Sequence, residues 1–241
     1  MSYEVKYAPK TLDEVVISDP NIFSVLDSYI YNGNKRPLLL HGSFGLGKSS
    51  VARLLPSLIE GEPTAKMNID ELDLNSVNAI RSFFYSRTKT TYGRMYHEPL
   101  YFVVDESNFK DNVSFTLRTI TDELQGDIQF IFTTNDLSAL DAGLQARFEC
   151  LHFTPTKPTD WLERVKYIVQ SEGVTTLSDA TLLNFITNQL NKSSNHRKLL
   201  AALELFISNV KRQTFVLAQP TKSVIVPIKA PAVLKAVPPK N

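Results

Sequence analysis

Residues 42–49 read Gly-Ser-Phe-Gly-Leu-Gly-Lys-Ser, and they carry the strongest structural signal in the 241-residue chain. It fits the spacing G-x-x-x-x-G-K-[ST] without a mismatch. Glycines let a loop curl so that several backbone N–H groups point at an anion, and a helix that follows adds its positive dipole end. Lys48 supplies a positive charge for phosphates, and the Ser49 hydroxyl is a ligand for Mg²⁺. The stretch therefore predicts a loop that binds the phosphates of a nucleotide.

The sequence on either side of this loop supports the prediction. Leu38–Leu40 is a short apolar run typical of a buried strand, and residues 48–60 have the apolar spacing of a helix. An ordinary glycine-rich turn is the alternative, and the two flanks together make it the weaker one. We expect the nucleotide to contact nine consecutive residues: Gly42, Ser43, Phe44, Gly45, Leu46, Gly47, Lys48, Ser49 and Ser50.

Two later apolar runs end in polar residues that suit nucleotide chemistry. Leu100–Val104 leads directly into Asp105 and Glu106. The run at 129–133 leads into Asn135. Parallel strands place their carboxyl ends at one edge of a sheet, where ligands bind in doubly wound folds. We expect Asp105 to hold Mg²⁺, Glu106 to act as general base on the attacking water, and Asn135 to contact the γ-phosphate or that water.

Two arginines are candidates for stabilising charge on the γ-phosphate. Arg147 lies in a short segment after the Asn135 strand, and it would act in trans on the nucleotide of a neighbouring subunit. A surface arginine without a catalytic role is an equally good interpretation of Arg147. Arg197 lies near the start of a helical pattern at 195–211, from which it would reach back to the nucleotide.

The chain divides into three parts by pattern. The apolar strand runs of the first part alternate with segments of helical spacing at 12–32, 75–87 and 112–124, and a short strand is predicted at 66–69. This alternation predicts that residues 1–154 form an α/β nucleotide-binding domain, a parallel sheet flanked by helices. Residues 155–213 carry helical patterns at 160–171, 178–190 and 195–211, which predict a small all-helical lid domain. Residues 214–241, rich in proline and lysine, predict an extended or disordered tail, with a possible strand at 214–217.

Composition limits the functional classes. A hydrophobic content of 43% is ample for a core. The charge is distributed unevenly, because residues 1–150 carry 14 Lys/Arg against 20 Asp/Glu, whereas residues 151–241 carry 12 Lys/Arg against 5 Asp/Glu. This asymmetry is compatible with a nucleic acid or an acidic partner. The single cysteine excludes an intramolecular disulfide and fits a reducing compartment. No run approaches the 18 apolar residues of a membrane span, so we expect a soluble intracellular protein without a membrane partner.

In this order, these residues resemble the AAA+ P-loop NTPases, and more narrowly the ATPase subunits of clamp loaders, the replication factor C small subunits and the T4-type phage loader. Further motifs carry the narrower resemblance, which covers roughly residues 3–212. Lys6–Val16 is similar to the family's N-terminal Y-R-P-K-T segment, and Asn68–Glu71 with Val77–Phe84 is similar to an N-x-S-D stretch and the helix after it. Leu117–Glu123 is similar to the family's L-R-R-T-M-E motif, and Gln145–Phe148 stands in the place of its Q-S-R-C motif. Arg197 falls on the family's sensor-2 position.

The resemblance implies a motor subunit that uses ATP and Mg²⁺ to place a ring-shaped sliding clamp on primer–template DNA. The implied partners are other clamp-loader subunits, the clamp and the DNA, in the cytoplasm or nucleus or, for a phage protein, in the host cytoplasm. Tyr7, Pro9 and Val16 fall in the segment that lines the family's adenine pocket. Arg81 matches a position that follows the DNA backbone, and Arg87 lies in the same cationic stretch; a solvated helix face is an equally good interpretation of that stretch.

The sequence departs from the family at several positions. Ala8 replaces an arginine of the N-terminal motif, and Ala146 and Phe148 replace the usual Ser and Cys. The family's third domain, a helical collar, is not expected in the roughly 28 residues that follow residue 213. Two alternatives therefore stay open: another AAA+ motor, such as a helicase loader or a transposition or branch-migration ATPase, and a non-catalytic adaptor gated by nucleotide.

Overall fold

A parallel β-sheet forms the centre of the structure, a computed structural model that describes residues 1–61, 66–68, 76–92, 100–106, 109 and 111–218. Within those residues the sheet has five strands in the order β2-β3-β4-β1-β5, and each paired strand is parallel to its neighbour. The strands are β1 Leu38–His41, β2 Lys66–Asn68, β3 Leu100–Val104, β4 Ile128–Thr134 and β5 Glu149–His152.

Helices flank the sheet and then continue alone toward the end of the described chain. Those of the sheet region are α1 Tyr3–Lys6, α2 Pro20–Tyr31, α3 Lys48–Glu60, α4 Val77–Tyr92, α5 Asp111–Leu124 and α6 Ala142–Gln145, with 3-10 turns at Leu12–Glu14 and Leu137–Ala139. The three that follow are α7 Pro158–Ser171, α8 Asp179–Lys192 and α9 His196–Ala218. This arrangement confirms the predicted architecture, a flanked parallel sheet followed by helices.

The strands β1, β3 and β4 are buried on both faces, which is why they are apolar runs rather than alternating ones. All seven residues of β4 are buried. Successive side chains of a strand point to opposite faces. Phe102 therefore packs in one core cluster with helices α4 and α5, whereas its neighbours Tyr101 and Val103 pack in a second cluster with α2 and α3.

A third core lies among α7, α8 and α9, around side chains such as Trp161 and Leu203. Two residues from the opposite end of the sequence, Tyr3 and Tyr7, are buried in this same core. Helix α1 is therefore packed on the helical part of the chain, although it precedes the sheet in sequence. The predicted domain limits at 154 and 213 stay a prediction.

Most predicted elements are confirmed within a few residues, and α3 and β3 have the predicted bounds. Asp19 accepts a hydrogen bond from the Asn21 N–H and caps α2 before Pro20, as its sequence predicted. The predicted strand at 214–217 is wrong, because α9 runs on through Ala218. Although Phe215-Val216-Leu217 favours a strand locally, a helix that is already formed extends at little cost. The Asp70-Glu71 part of one family motif and residues 219–241 of the predicted tail lie outside the described residues.

Candidate nucleotide-binding site

A cavity of about 630 Å³ lies at the carboxyl edge of the sheet, where the predicted site residues meet the helical part of the chain. The loop between β1 and α3 and the ends of β3 and β4 form one wall, which we call the sheet wall. The N-terminal segment with α7 and the start of α9 forms the other, which we call the lid wall. The predicted residues that line the cavity are Tyr7, Pro9, Val16, Phe44, Gly45, Leu46, Gly47, Lys48, Ser49, Ser50, Asp105, Glu106, Asn135 and Arg197.

Lys48 is buried at the centre of the sheet wall, as the first residue of α3. Its Nζ donates to the carbonyl oxygens of Gly42 and Ser43, at 2.7 Å each, and to Oδ1 of Asn135 at 2.9 Å. Burial lowers the pKa of Lys48, while the charges of Asp105 and Glu106 act in the opposite direction. Gly42 and Ser43 thus position the lysine rather than line the cavity.

Asp105 is the best-connected carboxylate of the site. Its Oδ1 accepts hydrogen bonds from the hydroxyls of Ser49 and Thr133, both at 2.6 Å, and its Oδ2 accepts one from Nη2 of Arg53 at 2.7 Å. Burial on its own raises the pKa of Asp105, but these hydrogen bonds and the charges of Arg53 and Arg197 outweigh burial and hold the pKa below its usual value. Asp105 is therefore a fixed anion.

The Ser49 and Asp105 oxygens fit a magnesium ion. Mg²⁺ prefers oxygen ligands and is commonly bound through one or two protein groups together with substrate phosphates and water. The two side chains supply a hydroxyl and a carboxylate oxygen within 2.6 Å of each other, beside the phosphate loop. They would hold the ion.

Glu106 follows Asp105 in an unusual backbone conformation. Its φ is +57°, in the left-handed region that residues other than glycine seldom adopt. The Glu106 N–H donates to Oγ1 of Thr133 at 3.0 Å, which fixes this turn, and the exposed side chain lines the cavity. A positive φ in a charged residue at a cavity is a feature found at functional sites.

The start of α9 packs directly on the phosphate loop. The His196 N–H donates to the carbonyl oxygen of Gly45 at 2.8 Å. A Cβ at Gly45 would lie 2.3 Å from the Asn195 side chain, so this position of the loop requires glycine. Asn195 Oδ1 also accepts the Arg197 N–H at 2.9 Å and so caps the helix. The predicted coupling of the helical part to the nucleotide loop thus has a direct contact.

Buried side chains hold His196 in place at the contact between α9 and the phosphate loop. Oγ1 of Thr156 lies 3.1 Å from Nε2 of His196 and accepts the Trp161 Nε1–H at 2.8 Å. Burial, together with the nearby charge of Lys48, lowers the pKa of His196 to about 4. His196 is therefore neutral at pH 7 and adds no positive charge to the phosphate loop.

The lid wall also holds the far end of the cavity. Tyr7, Pro9 and Val16 line it together with Arg164 of α7. Nη2 of Arg164 donates to the Tyr7 carbonyl oxygen at 2.8 Å. Ala8 stands where the resembled family has an arginine. The guanidinium of Arg164 on α7 lies in the same cavity as Ala8.

Besides Gly42 and Ser43, three predicted arginines are not part of the cavity lining. Arg147 forms a two-pronged ion pair with Asp122, with both nitrogen–oxygen distances 2.7 Å, and donates to the Gly143 carbonyl oxygen. Arg81 is exposed on α4. Arg87 belongs to the same helix, and its side chain lies outside the described part. The roles of these arginines stay predictions.

Several cavity residues were not predicted from the sequence. The spacing of the sequence could have predicted Arg53, because this residue lies one helical turn after Ser49 and so shares the same face of α3. Thr133 was assigned only to a strand, and His196 is adjacent to the predicted Arg197. The residues missed are Glu4, Val5, Ala8, Glu14, Val15, Arg53, Leu54, Ser57, Thr133, Trp161, Arg164, Asn195, His196 and Leu200.

Comparison with known proteins places this geometry in a class. The solved structure of the Thermotoga maritima RuvB Holliday junction branch migration motor superposes with a TM-score of 0.64 at 18% identity, over 88% of this chain and 67% of that one. A likeness at this identity shows the fold alone. The chain therefore has the fold of the AAA+ P-loop NTPases, with its phosphate-loop motif at the carboxyl edge of the sheet.

Within this class, the sequence is related to the replication factor C small subunits. Small subunit 2 from Pyrobaculum islandicum is 27% identical over 203 residues, which are 83% of this chain and 63% of that protein. The small subunit from Staphylothermus marinus is 27% identical over 171 residues, 70% of this chain and 52% of that protein. No family model matches the chain. The relatives confirm the resemblance to the clamp-loader subunits, although the chain spans less than two thirds of their length.

Proposed function

We propose that this chain is an ATP-hydrolysing AAA+ subunit of a clamp-loader-type complex that places a sliding clamp on primer–template DNA. The observation that supports it best is the sheet wall, where Lys48, Ser49, Asp105, Glu106 and Asn135 line one cavity. The similarity to a replication factor C small subunit over 83% of the chain supports clamp loading among the activities of AAA+ proteins.

The residues of the sheet wall would divide the chemistry of hydrolysis. Lys48 would exchange its carbonyl acceptors for phosphate oxygens, and Asn135 would then be free to orient the attacking water. Glu106 would accept a proton from that water. When bound by Ser49 and Asp105, Mg²⁺ supplies positive charge to the phosphates.

The lid wall would hold the rest of the nucleotide. Tyr7, Pro9 and Val16 would contact the adenine ring in the part of the cavity they line. Arg197 lines the cavity from α9 and forms an ion pair with Glu4 at 3.0 Å. It would transfer to the γ-phosphate of the same chain's nucleotide, since a triphosphate is a stronger acceptor than an exposed carboxylate.

Arg147 would act on the nucleotide of another subunit. It does not line the cavity of its own chain, and its ion pair with Asp122 is partly exposed, with about a third of the arginine side chain accessible. An arginine placed in this way serves hydrolysis only in an oligomer. The partners in this proposal are other clamp-loader subunits, the clamp and primer–template DNA.

Contact with DNA would involve Arg81 and Arg87 of α4. Arg81 is exposed, and cations on a helix surface bind phosphates without regard to base sequence. The binding would weaken as salt concentration rises. The proposed place of action is inside the cell, and within the described residues no helix is both long and apolar enough to cross a membrane.

The experiment is an ATPase assay of the assembled complex, with sliding clamp and primed DNA added separately and together. Stimulation that needs both supports clamp loading, and the Glu106→Gln variant should abolish it. Stimulation by single-stranded DNA or a helicase alone would indicate a different AAA+ motor. If the assembled complex binds ATP with no measurable turnover, the chain is a nucleotide-gated adaptor instead.

A further inference from the structure

One ion pair of the site has no role in the proposed hydrolysis. Arg53 of α3 places Nη2 2.7 Å from Oδ2 of Asp105, the proposed ligand of Mg²⁺. Ser49 and Arg53 are four residues apart and lie on one face of the helix, so both reach the same carboxylate. Arg53 also lines the cavity, which places its guanidinium on the side that a bound nucleotide would occupy.

Without magnesium, Asp105 needs another positively charged partner. Its side chain is only 22% exposed, and a carboxylate at this depth is costly to keep ionised without a counter-charge. The buried cation beside it, Lys48, already donates to two carbonyl oxygens and to Asn135. The hydroxyls of Ser49 and Thr133 bring hydrogen bonds but no charge. Arg53 supplies the charge that directly contacts Asp105.

We propose that Arg53 is the counter-cation of Asp105 in the nucleotide-free protein, and that Mg²⁺ displaces it when the ion enters with a nucleotide. Arg53 and the metal compete for one carboxylate, so the arginine raises the Mg²⁺ concentration needed for nucleotide binding. The inference rests on the proposed nucleotide site, and it adds a metal-gating residue to that site.

The geometry permits this displacement. The Arg53 side chain is 59% exposed, so it can leave Asp105 for solvent without losing a packed environment. An ion pair with one exposed partner contributes only modestly. A divalent ion that also binds Ser49 and the phosphates has more partners than the guanidinium has. Arg53 therefore delays the entry of the metal without preventing it.

The test measures binding of a fluorescent ADP analogue as free Mg²⁺ is varied with a chelator buffer. In the Arg53→Gln variant the Mg²⁺ concentration at half-maximal binding should fall roughly two- to fivefold, the ratio that corresponds to such an ion pair. Arg53→Lys, which keeps the charge, should stay near the wild type. Arg36→Gln is the matched control, because Arg36 forms a similarly exposed pair with Glu149 at 2.6 Å outside the cavity lining.

The outcomes separate this inference from the proposed function. If the wild type binds the analogue and the midpoint of Arg53→Gln is unchanged or higher, Arg53 does not compete with the metal and the inference is wrong. If the wild type binds no nucleotide at any Mg²⁺ concentration, the proposed function itself fails. Arg53→Met, which keeps the aliphatic stem on α3, replaces the glutamine variant if circular dichroism shows that the latter is misfolded.

Discussion

The two walls of the cavity are built in different ways. On the sheet wall, Lys48, Asp105, Thr133 and Asn135 join the phosphate loop to the ends of β3 and β4 through hydrogen bonds of 2.6–2.9 Å. On the lid wall, exposed ion pairs join α1 to the helical part of the chain, of which Glu4–Arg197 at 3.0 Å lies at the cavity. Hydrogen bonds hold the sheet wall, whereas the lid wall combines the buried contacts around His196 with exposed charges.

This difference indicates where the site is fixed and where it adapts. Buried polar groups that satisfy each other hold a single arrangement, because breaking one contact leaves another group unpaired in a medium of low dielectric constant. Exposed ion pairs contribute little each and are exchanged readily with solvent or phosphate. We therefore expect the backbone of the sheet wall to keep its arrangement while Lys48 and Arg53 exchange partners, and we expect the Glu4–Arg197 side of the lid wall to rearrange when a nucleotide binds.

The largest expected effect concerns a residue that belongs to neither wall. If Arg147 completes the site of a neighbouring copy, Arg147→Ala should lower turnover of the assembled complex by about 10³–10⁵-fold, as for arginine fingers elsewhere. Mixing it with Lys48→Ala chains should restore part of the activity, because some interfaces then pair an intact arginine with an intact lysine. Steady-state ATPase assays of both variants, alone and mixed, measure this.

The partner of Arg147 offers the control. Asp122→Asn removes the carboxylate that pairs with the arginine but keeps the arginine itself, so turnover should be retained. If no mixture of the two defective chains regains activity, the site is complete within one chain and the two-wall description is sufficient.

The next largest effect tests the sheet wall alone. Glu106→Gln should lower turnover by about 10²–10⁴-fold, the usual contribution of a general base, because the amide cannot accept the proton. Nucleotide affinity should stay within a few-fold of the wild type, since the hydrogen-bonded groups around Lys48 are untouched. Single-turnover hydrolysis and equilibrium binding of the same preparation separate the two quantities. Glu163→Gln, at a side chain 81% exposed on α7, is the control.

The sheet wall could be predicted from the sequence because its residues follow local patterns. The phosphate loop fixes Lys48 and Ser49 by spacing, and an apolar run that ends in Asp105 places this carboxylate at the same edge. Parallel pairing of β1 with β4 then brings Asn135 to the lysine. Each of these predictions depends on a pattern within a few residues, and the parallel sheet brings the predicted residues together at one edge.

The lid wall could not be predicted in the same way, because its contacts join residues far apart in sequence. Glu4 meets Arg197, and Arg164 meets the Tyr7 carbonyl, across most of the chain. No local spacing encodes such pairs, and charged surface residues leave many pairings open. The same holds for α9, whose last residues favour a strand locally but continue a helix begun at His196.

The difference between the walls predicts unequal losses of nucleotide affinity. Lys48→Met removes the buried cation that we propose binds the phosphates, and it should weaken binding of a non-hydrolysable ATP analogue by about 10–150-fold, the equivalent of 1.5–3 kcal/mol. Arg197→Met should weaken it by only about two- to fivefold, because an exposed arginine gains less from each contact. Calorimetric titration with a non-hydrolysable ATP analogue and Mg²⁺ gives both values. Equal losses would show that the two walls hold the nucleotide equally.

The smallest effect concerns an ionic cluster behind the lid wall, where Glu172 accepts hydrogen bonds from Lys211, Lys6 and the Tyr7 hydroxyl at 2.6–2.8 Å. The Lys211 and Lys6 contacts lower the pKa of Glu172 from 4.5 to about 2. Because the folded-state pKa is depressed, the stabilisation is complete above the unfolded pKa and is lost as the pH falls from about 4.5 toward 2.

Glu172→Gln should therefore lower the free energy of unfolding by about 1 kcal/mol at pH 7, a modest value because both lysines are about half exposed. The difference from the wild type should shrink as the pH falls below about 4.5, since the wild-type carboxylate then loses its charge as well. Urea unfolding of both proteins at pH 7 and at steps between about pH 5 and 3 measures this, with Glu163→Gln as an exposed control. A difference that stays constant through this range would mean that Glu172 stabilises α1 by packing rather than by charge, and the lid wall would then resemble the sheet wall more closely than its exposed ion pairs indicate.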